Sequence, residues 1–186
     1  MRIISGRYKG RVLASFQADH IRPTTDRVKE SLFNKWMYHI DGARVLDLFS
    51  GTGSLGLEAL SRGASHVDFV EENQKSLVIL KKNISLLEIE QTEHSLFKQD
   101  VLAYLHKYQG PAYDLILADP PFTKKMAHDV MLALDASSCF HAETLIAIES
   151  QKKERMDESY SQLVRYHCND YGDKLLSFFI KKAENQ

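Results

Sequence analysis

Val45-Leu46-Asp47-Leu48-Phe49-Ser50-Gly51-Thr52-Gly53-Ser54-Leu55-Gly56 reads as a short apolar strand that runs into a glycine-rich turn and then into a helix. Gly51 and Gly53 permit backbone angles and close approaches that a side chain would block. Taken alone, Gly51, Gly53 and Gly56 spell the GxGxxG of a dinucleotide site, in which a pyrophosphate rests on the helix N-terminus. Asp47 changes that reading. A carboxylate at the strand end repels a pyrophosphate and attracts a cation, such as the ammonium group of S-adenosylmethionine. The loop Phe49, Ser50, Gly51, Thr52 and Gly53 is therefore read as the cradle of a cationic amino-acid cofactor.

Outward from this segment, short apolar runs alternate with helix-like stretches. Strands are expected at 43–48, 67–70, 94–98, 114–118 and 144–149, and helices at 54–62, 74–87, 103–107 and 126–134. Such alternation implies an α/β fold, a parallel sheet covered by helices on both faces. The tail differs: 163–168 and 175–180 are strand-like runs joined by a turn with no helix between them, an antiparallel hairpin expected at the sheet edge. Residues 151–158 read as a helix or loop face. Upstream, Val28, Leu32, Trp36 and Ile40 recur every fourth residue after the turn Arg22-Pro23-Thr24-Thr25-Asp26, predicting a helix that ends near Asp41-Gly42. Residues 1–21 suggest a small hairpin or extended arm outside the core. At 186 residues the chain is expected to form one domain, with residues 1–40 as arm and helix and 41–186 as catalytic core.

Two further acids follow strands at useful distances. Glu71, eighteen residues after Gly53, stands where a carboxylate accepts hydrogen bonds from two ribose hydroxyls. Asp100 serves either as a contact for an adenine amino group, with Val101 or Leu102 against the ring, or as a helix cap. Glu72 reads as a solvated charge.

After the fourth strand comes Asp119-Pro120-Pro121-Phe122. Ligands of an open parallel sheet bind beyond the carboxyl ends of its strands, which puts this loop near the glycine turn. Consecutive prolines stiffen the corner. A base amino group is a weak nucleophile because its lone pair is delocalised into the ring. It attacks best when acceptors draw on its hydrogens, and the Asp119 carboxylate and Pro120 carbonyl can supply those acceptors. Phe122 can stack on the base and align nitrogen, methyl carbon and sulfur. The corner serves any exocyclic amine, provided the base is flipped out or already single-stranded.

The net charge of −1 hides an asymmetry. Residues 1–35 hold eight basic and three acidic side chains, a local charge of +5, which leaves −6 for the rest. A basic arm on an acidic body is the footprint of a segment that meets phosphates, and Arg2, Arg7, Lys9, Arg11, Arg22 and Arg27 are its candidates. The N-terminus lacks the apolar core of a signal peptide, and no run reaches membrane-spanning length, so a cytoplasmic protein with no membrane contact is expected. Cys139 and Cys168 read as reduced, partly buried thiols, and the scattered histidines show no ligand spacing, so no metal is expected.

Arg2-Ile3-Ile4-Ser5-Gly6-Arg7-Tyr8-Lys9-Gly10-Arg11, Arg22-Pro23-Thr24-Thr25-Asp26-Arg27-Val28-Lys29-Glu30-Ser31-Leu32-Phe33-Asn34, the glycine segment and D-P-P-F together resemble the bacterial RsmD family of class I, Rossmann-like methyltransferases. The resemblance implies a seven-stranded sheet with its last strand antiparallel. It also implies methylation of a guanine N2 amine in 16S rRNA, within an assembled or partly assembled small ribosomal subunit. Cofactor contacts would fall at Asp47, Gly51, Gly53, Glu71 and Asp100, target-base contacts at Asp119, Pro120 and Phe122, and rRNA contacts on the arm. A monomer is expected. Two other readings stand beside it: an adenine-N6 methyltransferase acting on DNA, and a non-catalytic RNA-binding assembly factor. A nicotinamide-dependent reductase is disfavoured by Asp47.

Overall fold

The computed structural model describes residues 1–16 and 26–183. After α1 (Asp26–Lys35) the chain alternates strand and helix: β1 (Arg44–Leu48), α2 (Ser54–Ser61), β2 (His66–Val70), α3 (Gln74–Leu86), β3 (His94–Phe97), α4 (Val101–Lys107), β4 (Tyr113–Ala118), α5 (Ala127–Asp135) and β5 (Phe140–Gln151). It closes with β6 (Leu163–Asp170) and β7 (Lys174–Lys181). The seven strands lie in the order β3-β2-β1-β4-β5-β7-β6. β1 to β5 pair in parallel, and β7 runs antiparallel to both β5 and β6.

The order reverses at β1: successive strands first step away on one side, then β4 returns to the other. Neighbouring loops leave in opposite directions there and open a crevice at the strands' carboxyl ends. The β6–β7 pair is the expected hairpin, but only β6 forms the edge. β7 inserts beside β5 because it buries side chains on both faces: Leu176 and Phe178 enter one core, Phe179 the other. An edge position would leave its backbone groups unpaired. Residues 152–158 form a turn and loop with no helix.

Two cores sandwich the sheet. Val45, Val67, Phe69, Leu115 and Leu117 face α1, α2 and α3, while Leu46, Leu48, Val70, Ile116 and Ile148 face α4 and α5. Strands apolar on both sides read as continuous hydrophobic runs, which is why β1 and β4 were legible.

The N-terminal segment departs from expectation. It does form a hairpin, with Ile3 N–H to Arg11 O at 3.0 Å and Gly10 N–H to Ile3 O at 2.9 Å. It is also part of the core: Ile3 and Leu13 are 1% and 3% exposed, packed with α1, α2 and α3. Alternation along the short strand explains the difference, since Val12, next to Leu13, points outward. α1 likewise ends at Lys35, earlier than expected. Beyond it Met37 and His39 donate to the carbonyls three residues back, yet Trp36 and Ile40 remain buried. Trp36 is held from outside the helix, its indole donating to the Tyr166 hydroxyl at 3.2 Å and its ring edge-on to Phe178. Cys139 is buried and Cys168 exposed, where both were expected to be partly buried; neither is bridged. No helix among the described residues is long and apolar enough to cross a membrane.

Candidate functional site

The glycine turn starts with strain. Phe49, the first residue past β1, has φ of 60°, a left-handed conformation costly for a side chain. It is held by its successor: Ser50 N–H donates to Val70 O at 3.1 Å and Ser50 Oγ to Asp47 O at 2.6 Å. Gly53, the residue before α2, has φ of 90°, and a Cβ there would meet Leu80 Cδ1 at 2.4 Å. At Gly56 the constraint is proximity: a Cβ would lie 2.3 Å from the Phe69 ring and 2.8 Å from Asp47 Oδ2. The third glycine of the motif thus lets α2 approach the strands.

That approach brings Gly56 N–H to Asp47 Oδ2 at 2.9 Å. Asp47 is 1% exposed. Burial pushes its carboxyl up to about 8; the Gly56 N–H opposes the shift, and the nearby charges of Asp119 and Glu71 add to it. Three acids distant in sequence therefore converge at the β1/β4 reversal, and a cation is what such a cluster lacks.

Glu71 is buried at the end of β2. Its Oε2 accepts Gly51 N–H at 2.8 Å and its Oε1 accepts Asn73 N–H at 2.7 Å. Each oxygen keeps a lone pair for a further donor. Asp100 takes the place of the residue before α4 and caps it, accepting Ala103 N–H at 2.9 Å. Val101, the first residue of α4, is 3% exposed and packs in the core. Thr52 is half-buried, its carbonyl accepting Asn83 Nδ2 at 2.9 Å.

Asp119 N–H donates to Leu48 O at 3.4 Å, extending the β1–β4 ladder by one residue and placing Asp119 beside Phe49. Pro120 is buried and Pro121 half-buried, and Phe122 to Lys124 form a 3-10 turn closed by Lys124 N–H to Pro121 O at 3.0 Å. Lys174 Nζ stands 4.1 Å from the Phe122 ring centroid and bonds Glu149 Oε2 at 3.1 Å. Lys124 Nζ reaches across to Glu72 Oε1 at 2.9 Å, so Glu72 is exposed but paired. These partners escape a sequence reading. Lys174 begins β7, and only the register that sets it opposite Gln151 of β5 brings it to this loop.

The basic arm is partly neutralised by the protein itself. Arg2 pairs with Asp26 at 3.1 Å, and Arg7 pairs with Glu93 while lying 4.7 Å over the Tyr8 ring. Lys29, one of the eight basic residues counted above, is fully buried: its Nζ donates to Arg2 O at 2.6 Å and lies 3.4 Å from Glu58. Burial lowers its pKa against the pull of Glu58, so it cannot meet phosphate. Glu58, on α2, also accepts the N–H groups of Ile4 and Ser5, fastening the arm to the helix that follows the glycine turn. Lys9, Arg11 and Arg27 are exposed, and Lys9 and Arg11 have no ion-pair partner among the described residues. Arg22 lies outside the described residues.

A seventh strand slotted antiparallel beside β5, on a sheet reversing at β1, makes this a Rossmann-like methyltransferase fold. The solved structure of the Escherichia coli protein yhhF shares it with a TM-score of 0.86 at 28% identity, over 99% of both chains. Thermus thermophilus TrmN, at 19% identity and a TM-score of 0.66 over 83% of this chain and 48% of that one, shows the fold alone. The chain belongs to the family described as conserved hypothetical protein 95, whose model matches residues 1–180. It is 38% identical to ribosomal RNA small subunit methyltransferase D of Haemophilus influenzae over 153 residues, which is 82% of this chain and 79% of that protein. The protein of the same name from Escherichia coli is 34% identical, over 81% of this chain and 75% of that protein.

Proposed function

We propose that this chain transfers a methyl group from S-adenosylmethionine to the N2 amine of a guanosine in 16S rRNA of the small ribosomal subunit. One observation carries the reading: Asp119, at the head of a Pro-Pro corner, lies beside the glycine turn at the strand-order reversal, within electrostatic reach of Asp47. The donor set fits a cationic cofactor. Clustered carboxylates repel a pyrophosphate and welcome an ammonium and a sulfonium. When bound, the cofactor supplies an electrophilic methyl group.

Asp47 and the backbone of residues 49–53 hold its amino-acid end. Glu71 accepts from the ribose hydroxyls with the lone pairs its backbone bonds leave over, and Asp100 and Val101 border the adenine. On the substrate side, the Asp119 carboxylate and Pro120 carbonyl accept the two amine hydrogens. The lone pair would thereby localise on nitrogen, making the amine a better nucleophile toward an electrophilic methyl group. Phe122 stacks on the guanine. The amine proton becomes acidic once the new bond forms, and in this reading Asp119 takes it toward water. Lys9, Arg11, Arg27 and Arg22, with Arg2 and Arg7 at the price of their acidic partners, meet rRNA phosphates. The relatives' name supports rRNA over DNA, and the basic arm supports a nucleic-acid substrate.

The test is to incubate the protein with labelled S-adenosylmethionine and small subunits from cells lacking the enzyme, then digest the RNA to nucleosides. N2-methylguanosine is the expected product. Label found as N6-methyladenosine, or no label in the subunits while an added DNA duplex is methylated, would overturn the assignment.

A further inference from the structure

Beside the D-P-P-F corner, on the β5–β7 side, lies a cavity of about 300 Å³ whose walls include Phe122, Gln151, Lys152, Lys153, Asp173 and Lys174. It joins three segments far apart in sequence: the loop after β4, the end of β5 and the turn between β6 and β7. Lys152 N–H donates to Asp173 O at 3.0 Å, closing the β5 end onto that turn.

The three lysines do different things. Lys174 is spent internally, bonded to the buried Glu149 and set over the Phe122 ring. Lys152 holds Asp170 at 2.5 Å, in a pair more than half exposed on each side. Such a pair is weak and readily exchanged for a phosphate. Lys153 is exposed and has no ion-pair partner among the described residues. Asp173 would repel a phosphate laid against it, so an anion belongs with the exposed Lys152 and Lys153 instead.

We propose that this cavity is the subsite for the nucleotide next to the methylated one in the RNA strand, with that nucleotide's phosphate taken by Lys153 and Lys152. The inference rests on the base-methylation reading above. A base flipped against Phe122 drags its flanking phosphates with it. Because Phe122 lines this cavity as well as the D-P-P-F corner, a nucleotide next to the one stacked on it has the cavity within reach. Gripping its phosphate would hold the splayed strand in position while the arm supplies contacts farther away.

The experiment uses the full chain with Lys152→Ala/Lys153→Ala, Lys153→Glu and Lys153→Arg. With unmethylated small subunits, the double variant should raise KM about fivefold or more and make the salt dependence of log KM shallower by about 0.7 per lost contact. Lys153→Glu should be worse, Lys153→Arg near wild type, and S-adenosylmethionine affinity unchanged in all three. Wild-type KM and salt slope in the double variant would overturn the proposal. Anisotropy of a fluorescent single-stranded RNA on the same variants reads the cavity independently of the reaction. Weaker binding by the double variant supports the subsite even if wild type methylates no rRNA, an outcome that would sink the functional reading alone. Equal RNA affinity in wild type and double variant removes the subsite.

Discussion

Replacing Asp47 with asparagine separates two consequences of one buried carboxyl group. The amide oxygen can still accept Gly56 N–H, so the packing of α2 on β1 is retained. What disappears is a titration. Burial, reinforced by Asp119 and Glu71 against the pull of Gly56, raises Asp47 from 3.8 to about 8. Between these values the folded chain keeps a proton that the unfolded chain releases, so the ligand-free protein loses stability as pH rises through that window. At about 1.4 kcal/mol per pH unit the loss reaches ~6 kcal/mol as an upper bound. Asp47→Asn carries no such proton. Its melting temperature should hold roughly level from pH 5 to 8 while that of the wild type falls by several degrees.

Cofactor binding runs the other way. A cation against Asp47 draws it into the charged form, so binding below pH 8 releases a proton, and affinity should climb roughly tenfold per pH unit toward neutrality. It should fall again above about pH 8, where an α-amino group loses its own proton. Asp47→Asn should keep only that alkaline decline and bind on the order of tenfold or more weakly at pH 7.5, having lost a charge-assisted bond. Titration calorimetry in two buffers of different ionisation enthalpy measures both affinity and protons released. Wild-type affinity that stays flat from pH 5.5 to 7.5 with no proton released, or an asparagine variant that binds as tightly as wild type, would refute the reasoning.

Asp119→Ala should leave cofactor affinity within about twofold while cutting single-turnover methylation by roughly a hundredfold or more; near-normal turnover would take Asp119 out of the reaction. In Gly56→Ala the new methyl group would collide with the Phe69 ring and Asp47. It should lower the urea midpoint by the equivalent of ~1–3 kcal/mol and weaken the cofactor along with it, since both depend on the same helix approach. Lys9→Ala/Arg11→Ala should weaken small-subunit binding and flatten its salt dependence by about one to two in slope, whereas Arg7→Ala alone should change it less, because Arg7 is already paired with Glu93. Equal slopes in all three proteins would return the arm to the solvated surface.

What could be read from the sequence was local. The strand, glycine turn and helix at 45–56, the α/β alternation, and the acids and D-P-P-F corner at strand ends each lie within a few residues of the signal that betrays them. The chain path of a parallel α/β sheet then carries those strand ends to one crevice, so Asp47, Glu71 and Asp119 meet without any unusual contact. The tertiary structure decided everything that depends on pairing between distant segments. Ile3 and Leu13 are core because the arm lies on α2, and Lys29 is buried because Glu58 and the Arg2 carbonyl sit opposite it. Lys174 reaches Phe122 because β7 slots beside β5. A charge or an apolar residue in a sequence has no direction, and whether it faces phosphate, core or a neighbouring ring is set by the register and docking of elements tens of residues away.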